Sequence, residues 1–396
     1  MFLSLLRRRN PALIEAAITL HQQGLLPANT FVLDLDAITV NATAISKEAA
    51  RLGVTPFAMT KQIGRNPDAS HAIMAGGIDS SVAVDMECAR ATTRAGMNLG
   101  HIGHLVQVAR AEAPAAAAMR PANWTVFSTA KAGEAASACR ALGRDQALLA
   151  RIYAAEDEFY SGHEGGFRAE DILAVADHLD ALDGAHFAGI TTFPALLFDP
   201  AARSVRHTTN LRTLESAAAR LRDCGRADIQ INGPGTTSAA ALAGLADAGV
   251  TQVEPGHALT GTTPWHAVED LPELPAVCYL SEVSHHYGGR AYCFGGGMYV
   301  DPVFPPYQVR AVVGRDPAAT TLADATLPPP AAIDYYGQLA MPEDGDLRVG
   351  DSVVFGFRTQ AFVTRGFTAG ISGVRTGTPH VAGIWAADGS AATWPG

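Results

Sequence analysis

From about residue 40 to residue 255 the chain repeats one pattern eight times, a short apolar run followed by an alanine-rich segment with helical spacing. No other feature constrains the fold as strongly, because strand–helix alternation of this kind builds a parallel sheet covered by its own helices. The strand-like runs end near Lys61, Val84 (GIDSSVAV), Leu105 (GHIGHL), Ser128 (WTVFS), Tyr153 (ALLARIY), Phe193 (FAGITTF), Asn232 (ADIQIN) and Glu254 (GVTQVE). Helix candidates such as PDASHAIMAG, DMECARATTRAG, TAKAGEAASACRALG and TNLRTLESAAARLRDCG follow them. Eight such units, roughly 250 residues in the general case, predict an α/β fold, a (β/α)8 TIM-type barrel with its chemistry at the C-terminal ends of the strands.

Beyond residue 270 the pattern changes to Pro-, Gly- and Tyr-rich segments with short alternating strands, among them AVCYLSEVSHH, RAYCFGGGMYV, PYQVRAVVG, DSVVFGFRTQAFVT and FTAGISGVRTG. These predict a C-terminal all-β domain. At the other end, NPALIEAAITLHQQG reads as an amphipathic helix and TFVLDLDAI as a strand joining that β domain. The expected boundaries are 1–38 for this N-terminal piece, 39–270 for the barrel and 271–396 for the β domain.

The formal net charge of −10 and the single short basic cluster, Arg7-Arg8-Arg9, lack the electrostatic footprint of a nucleic-acid binder, so a small-molecule partner is expected. Five scattered cysteines without a C-x-x-C pair fit reduced thiols and a cytoplasmic protein. MFLSLL is too short for a signal segment, and no apolar run reaches the length of a membrane span.

Lys61, in FAMTKQIGRN, ends the first strand-like run and so falls on the active face of the expected barrel. A desolvated lysine there can form a Schiff base with an aldehyde; a lysine on a surface loop is the ordinary alternative. After the seventh strand comes INGPGTTSAAAL, where Gly233 and Gly235 allow close backbone approach and Thr236, Thr237 and Ser238 can offer donors to an anion. After the eighth comes VEPGHALTG, with Gly256 in the same role. Each stretch alone reads equally as a capped loop or a turn; together, at strands one, seven and eight, they match the places where such barrels bind phosphate. His101 and His104, at the end of the third strand, and His163, in the loop YSGHEGGF after the fifth, fall on the same active face and are candidate acids or bases, whereas neighbouring His285 and His286 point to opposite faces of a strand.

MTKQIGRNP, VAVD, GHLVQ, VEPGHALTGT, SEVSHH, YCFGGGMY and FRTQAFVTR, in this order, resemble the fold-type III pyridoxal-phosphate enzymes, the alanine racemase-like superfamily, and within it the YhfX-like branch. The resemblance implies pyridoxal 5′-phosphate as cofactor, with Lys61 as its Schiff-base lysine. It further implies Arg65 in the place of a phosphate-binding tyrosine, and Asn232, Gly235, Thr236, Thr237, Gly256 and His257 around the cofactor. Glu254 stands where the ring-nitrogen residue is expected; a carboxylate there favours a protonated ring, which draws electrons better than a neutral one.

Three departures bear on the reaction. Thr192 fills the place of a histidine that stacks on the cofactor ring, and Phe294 aligns with the tyrosine that serves racemases as second base, so that Tyr292, Cys293 or Tyr299 would have to substitute. The zinc-binding His-x-Cys pair of related lyases is replaced by FRTQAF, which implies no metal and leaves Arg358, with His104, as a candidate for binding the substrate. The implied activity is abstraction of the Cα proton of an amino acid by a cytoplasmic homodimer, ending in racemisation. A lyase of the D-threonine aldolase or D-serine dehydratase type and a non-catalytic cofactor carrier are the alternatives.

Overall fold

The computed structural model describes residues 1–301, 306–343 and 346–394. The chain forms two compact units, one of Ala44–Thr60 and Gly77–Gly256, the other of Met1–Thr43, Lys61–Gly76 and His257–Gly396.

The first unit is the expected barrel. Its strands are Thr55–Pro56, Ser80–Val82, Asn98–Ile102, Asn123–Val126, Gln146–Tyr153, Ala185–Thr191, Gln230–Asn232 and Gln252–Val253. They pair parallel in sequence order, the last lies beside the first, and a bridge between Ala58 and Ser81 completes the circuit. The strands are short and buried on both sides, as Leu148, Leu149, Ala150 and Ile152 in ALLARIY show. Local chemistry fixes where the helices start. Ser128 accepts from the Lys131 amide at the head of Thr129–Arg140, Asp85 from the Cys88 amide ahead of Met86–Arg94, and Thr208 from the Leu211 amide ahead of Thr209–Asp223. Ala132, Ala135, Ala136 and Cys139 form the buried stripe of the first of these, at the 3–4-residue spacing of a helix face.

The second unit holds the β domain. Val277–Tyr287, Arg290–Phe294, Tyr336–Ala340, Thr321–Thr326, Val309–Gly314 and Ser352–Phe355 pair antiparallel in that order, and the last returns to the first, closing a ring. Closure removes the exposed edges that an open sheet would present. Thr30–Asp34 pairs antiparallel with Val277–Tyr287 and parallel with Phe367–Ser372, so the N-terminal strand is built into this sheet. The helices Phe2–Arg9 and Pro11–Gln22 cover it, burying Leu6, Leu13, Ile18 and Leu20 against Val32, Leu280, Val354 and Ile371. No helix among the described residues is long and apolar enough to cross a membrane.

Candidate active site

Several barrel strands deliver their ends to one buried carboxylate. Glu254 follows the eighth strand, and its side chain is 2% exposed. Oε1 accepts from His101 Nδ1 at 2.7 Å and from Asn232 Nδ2 at 3.1 Å. Asn232 ends the seventh strand, and the Thr191 hydroxyl, donating to its Oδ1 at 2.7 Å, sets which way the amide faces. His101 lies in the third strand, and its Nε2 meets Thr125 Oγ1 at 2.5 Å. His104 Nε2 stands 3.3 Å from the other carboxylate oxygen, Oε2. Burial alone pushes the Glu254 carboxyl up, but His104, His101 and Asn232 together outweigh it and hold the group below the usual carboxylate range. The site therefore keeps a negative charge in a dry environment.

His101, His104 and Glu254 also bring three metal-type donors within 4.8 Å of one another. Nδ1 and Oε1, however, sit at 2.7 Å, the separation of a shared proton. Two donors bound about 2.0–2.1 Å from a tetrahedral zinc would stand roughly 3.3 Å apart. Hydrogen bonding explains the His101–Glu254 pair.

Arg151, inside the fifth strand, is a functional candidate that the sequence reading missed, although an arginine within the apolar ALLARIY was the available signal. Its guanidinium donates to the carbonyls of His104 at 3.3 Å and His163 at 2.5 Å and lies 4.8 Å from the Phe127 ring centre. Burial pushes its pKa down to about 10, partly opposed by Glu164, so it remains a cation at neutral pH. His163 stacks on Phe193 with centroids 5.7 Å apart, and His104 meets the same ring edge-on. Thr192 is fully buried, its hydroxyl 3.5 Å from Asn210 Nδ2.

The loop after the seventh strand is tight because Gly235 bridges to Leu196; a Cβ at this glycine would lie 2.6 Å from the Leu196 carbonyl oxygen. The Thr236 amide donates to Leu196 and the Thr237 amide to Gly235, so both are used within the loop. Ser238 Oγ, in contrast, is buried with no hydrogen-bond partner among the described residues. Gly256 follows Pro255, whose carbonyl accepts from the Met59 amide at 2.9 Å.

The second unit gathers the remaining candidates. Lys61 opens the short 3-10 turn Lys61–Ile63, with its Nζ 5.3 Å from the centre of the Phe362 ring. Arg65 adopts a left-handed backbone (φ 54°), and its guanidinium lies 5.5 Å from the same ring. Phe362 is thus shared by two cations, a contact worth roughly 0.5–2 kcal/mol each. His257 is buried; desolvation, with the charges of Arg358 and Lys61 adding to it, drives its pKa well down and keeps the imidazole neutral. His257 Nε2 and Gln62 Oε1 are both buried and lack hydrogen-bond partners among the described residues. Arg358 is bound by Asp301 at 2.6 Å, and Gln360 donates to the same carboxylate oxygen at 2.8 Å.

The three candidates for the second base differ in setting. Cys293 faces the interior of the β ring, where burial pushes its thiol up to about 12. Tyr292 and Phe294 alternate with it on the other face; Tyr292 stacks on His285 at 4.7 Å, and Phe294 lies 6.0 Å from Tyr336. Burial and then Asp301 raise the Tyr299 phenol above its ordinary value. His286 makes its contact elsewhere, with the Leu347 carbonyl.

Comparison with known proteins places this arrangement. Residues 33–264 match the family described as alanine racemase, N-terminal domain, and residues 278–381 match YhfX-like, C-terminal domain. The protein YhfX of Escherichia coli (strain K12) is 39% identical over 389 residues, 97% of each chain. Among solved structures, D-threonine aldolase from Filomicrobium marinum superposes with a TM-score of 0.70 at 19% identity, covering 92% of this chain and 96% of that one. Alanine racemase of Clostridium difficile 630 in complex with cycloserine gives a TM-score of 0.64 at 16% identity, covering 91% and 99%. At these identities the structures speak for the fold, while the full-length match at 39% speaks for kinship. The chain belongs to the alanine racemase-like superfamily, in its YhfX-like branch.

Proposed function

We propose that this chain is a pyridoxal 5′-phosphate enzyme that removes the Cα proton of an amino acid, with racemisation as the outcome. The observation that carries the reading is Glu254, a buried carboxylate kept ionised by His101, His104 and Asn232 at a strand end. A buried charge of this kind calls for a cationic partner, and a protonated pyridine nitrogen supplies one. The other features fit the same group. Gly235 leaves no room for a side chain, and the orphaned hydroxyl of Ser238 is a ready donor to a phosphate, as is the unpartnered Nε2 of His257.

When bound, the cofactor supplies an aldehyde that captures amines and a ring that withdraws electrons from the bonds at Cα. Lys61 would hold the aldehyde and, once displaced by the substrate amine, carry the abstracted proton at Nζ. Glu254 would hold the ring-nitrogen proton. Ser238, His257 and Arg65, with the Thr236, Thr237 and Gly256 loops, would anchor the phosphate. Arg151 would orient the loops that carry His104 and His163, since it bonds the carbonyls of both. Tyr292 and Tyr299 are the groups assigned to return a proton to the opposite face, Cys293 being enclosed and its thiol held high. We assign the chain a homodimeric state in the cytoplasm; the exposed Phe294 and Tyr336 would be covered by the second copy.

A lyase on a β-hydroxy D-amino acid is the second reading, favoured by Phe294, because it needs no second base at Cα. Incubation of both enantiomers of each common amino acid in D2O separates the two. The racemase forms deuterated product of opposite hand without new small molecules. Stoichiometric aldehyde or keto acid from a D-amino acid, with no inversion of any substrate that exchanges, transfers the assignment to the lyase.

A further inference from the structure

Both oxygens of Glu254 are met by neighbouring side chains. His101 is fully buried and both of its ring nitrogens are engaged, Nδ1 with Glu254 Oε1 at 2.7 Å and Nε2 with Thr125 Oγ1 at 2.5 Å. Asn232 takes the same carboxylate oxygen at 3.1 Å and is itself fixed by Thr191. Oε1 is therefore occupied from two sides, and rotation of the carboxylate would break both bonds. Oε2, with His104 Nε2 at 3.3 Å, is the oxygen left to accept an N–H from a ligand. An ionised Glu254 only accepts, so His101 must donate from Nδ1; the Thr125 hydroxyl pins the ring in that orientation.

We propose that His101 is a positioning residue which fixes the rotation of Glu254 and keeps it ionised, so that Oε2 faces the cofactor's ring nitrogen and holds that nitrogen protonated. The inference rests on the reading of Glu254 as the ring's partner. Within the barrel, the titratable and charged groups around Glu254 are His101 and His104, with Arg151 behind, donating to the His104 carbonyl. Burial opposes ionisation of Glu254, and the two histidines and Asn232 overcome it. Removal of His101 takes away a hydrogen bond to the charged form and tips the balance towards the neutral acid.

The first test uses the protein without cofactor. The carboxyl stretch of Glu254, recorded by infrared difference spectroscopy and identified by its loss in Glu254→Gln, should report an ionised group at pH 7 in the parent and a neutral acid in His101→Phe. His101→Asn, whose amide can reach the place of Nδ1, should restore ionisation, and Thr125→Val should give an intermediate result with the least disturbance of folding. The second test loads the same variants with cofactor labelled with 15N in the ring. The titration midpoint of that nitrogen should fall by at least about one pH unit in His101→Phe and recover in His101→Asn. An ionised Glu254 in both His101→Phe and Thr125→Val, with the parent's ring midpoint, overturns the inference. If Glu254→Gln itself leaves the ring nitrogen unchanged, the pairing of Glu254 with the ring is what fails, and the cofactor-free infrared result still decides whether His101 controls Glu254.

Discussion

Gly235→Ala tests whether the loop after the seventh strand is a phosphate cradle. The added Cβ would lie 2.6 Å from the Leu196 carbonyl oxygen and 2.7 Å from the Leu196 nitrogen, whereas ordinary contact begins at 3.4 Å. The difference, 3.4 minus 2.6, means that backbone must move by about 0.8 Å. Overpacking of this kind costs roughly 1–3 kcal/mol. On the proposed reading, a shift of that size also moves the Ser238 hydroxyl away from the phosphate it would donate to. Loss of one charge-assisted hydrogen bond, about 1.5–3 kcal/mol, weakens affinity roughly 10- to 150-fold. Titration of the cofactor-free protein with pyridoxal phosphate and with pyridoxal, followed by absorbance, reads the effect. The phosphorylated compound should lose its advantage in the variant, while pyridoxal binds about as before. Gly133→Ala is the control: this glycine lies in the helix Thr129–Arg140 with nothing within 4 Å of an added Cβ, and alanine there should stabilise by about 0.5–1 kcal/mol. Parent-like affinity for pyridoxal phosphate in Gly235→Ala would refute the cradle.

Two further outcomes follow from burial and charge. Because folding holds Glu254 below its ordinary value, its contribution to stability is present above roughly pH 4.3, the unfolded value, and is lost as pH falls through the depressed folded value. In cofactor-free protein, the stability difference between the parent and Glu254→Gln, about 1–3 kcal/mol at pH 7, should shrink below about pH 4; a difference that stays constant down to pH 3 contradicts the assignment. Of the five cysteines only Cys224 is exposed, and burial holds the thiols of Cys139, Cys278 and Cys293 above their ordinary range. Native protein treated with a thiol reagent at pH 8 should therefore be labelled at Cys224 alone, and rapid labelling of Cys293 would reopen its candidacy as a base.

The barrel was legible because each unit is locally specified. Apolar strands, capping residues such as Asp85, Ser128 and Thr208, and glycines at Gly96, Gly143 and Gly225 with φ of 84°, 63° and 85° mark where each helix starts and stops. The strand-end rule then picked out His101, His104, Asn232 and Glu254. What the sequence did not show is that these side chains bond one another. His101 and Glu254 are 153 positions apart, and their contact depends on strand order around a closed sheet. Arg358 raises the same difficulty, since its partner Asp301 is 57 positions away. Tyr292 and Cys293 read alike as candidates in the sequence, although alternation puts them on opposite faces, because which face is enclosed depends on closure of the β ring.

Lys61 is the proposed carrier of the cofactor, and the chain offers few competitors, because its only other lysines are Lys47 and Lys131. Lys47 is exposed, and Lys131 is tied to the Val108 carbonyl and Glu134, both at 2.8 Å. Borohydride reduction of the protein with pyridoxal phosphate, followed by peptide mapping, should place the reduced cofactor on the peptide containing MTKQIGR, and Lys61→Ala should give no such adduct. Label on Lys47 or Lys131 in the parent, or no label on any lysine, would contradict the assignment of Lys61 as the Schiff-base lysine.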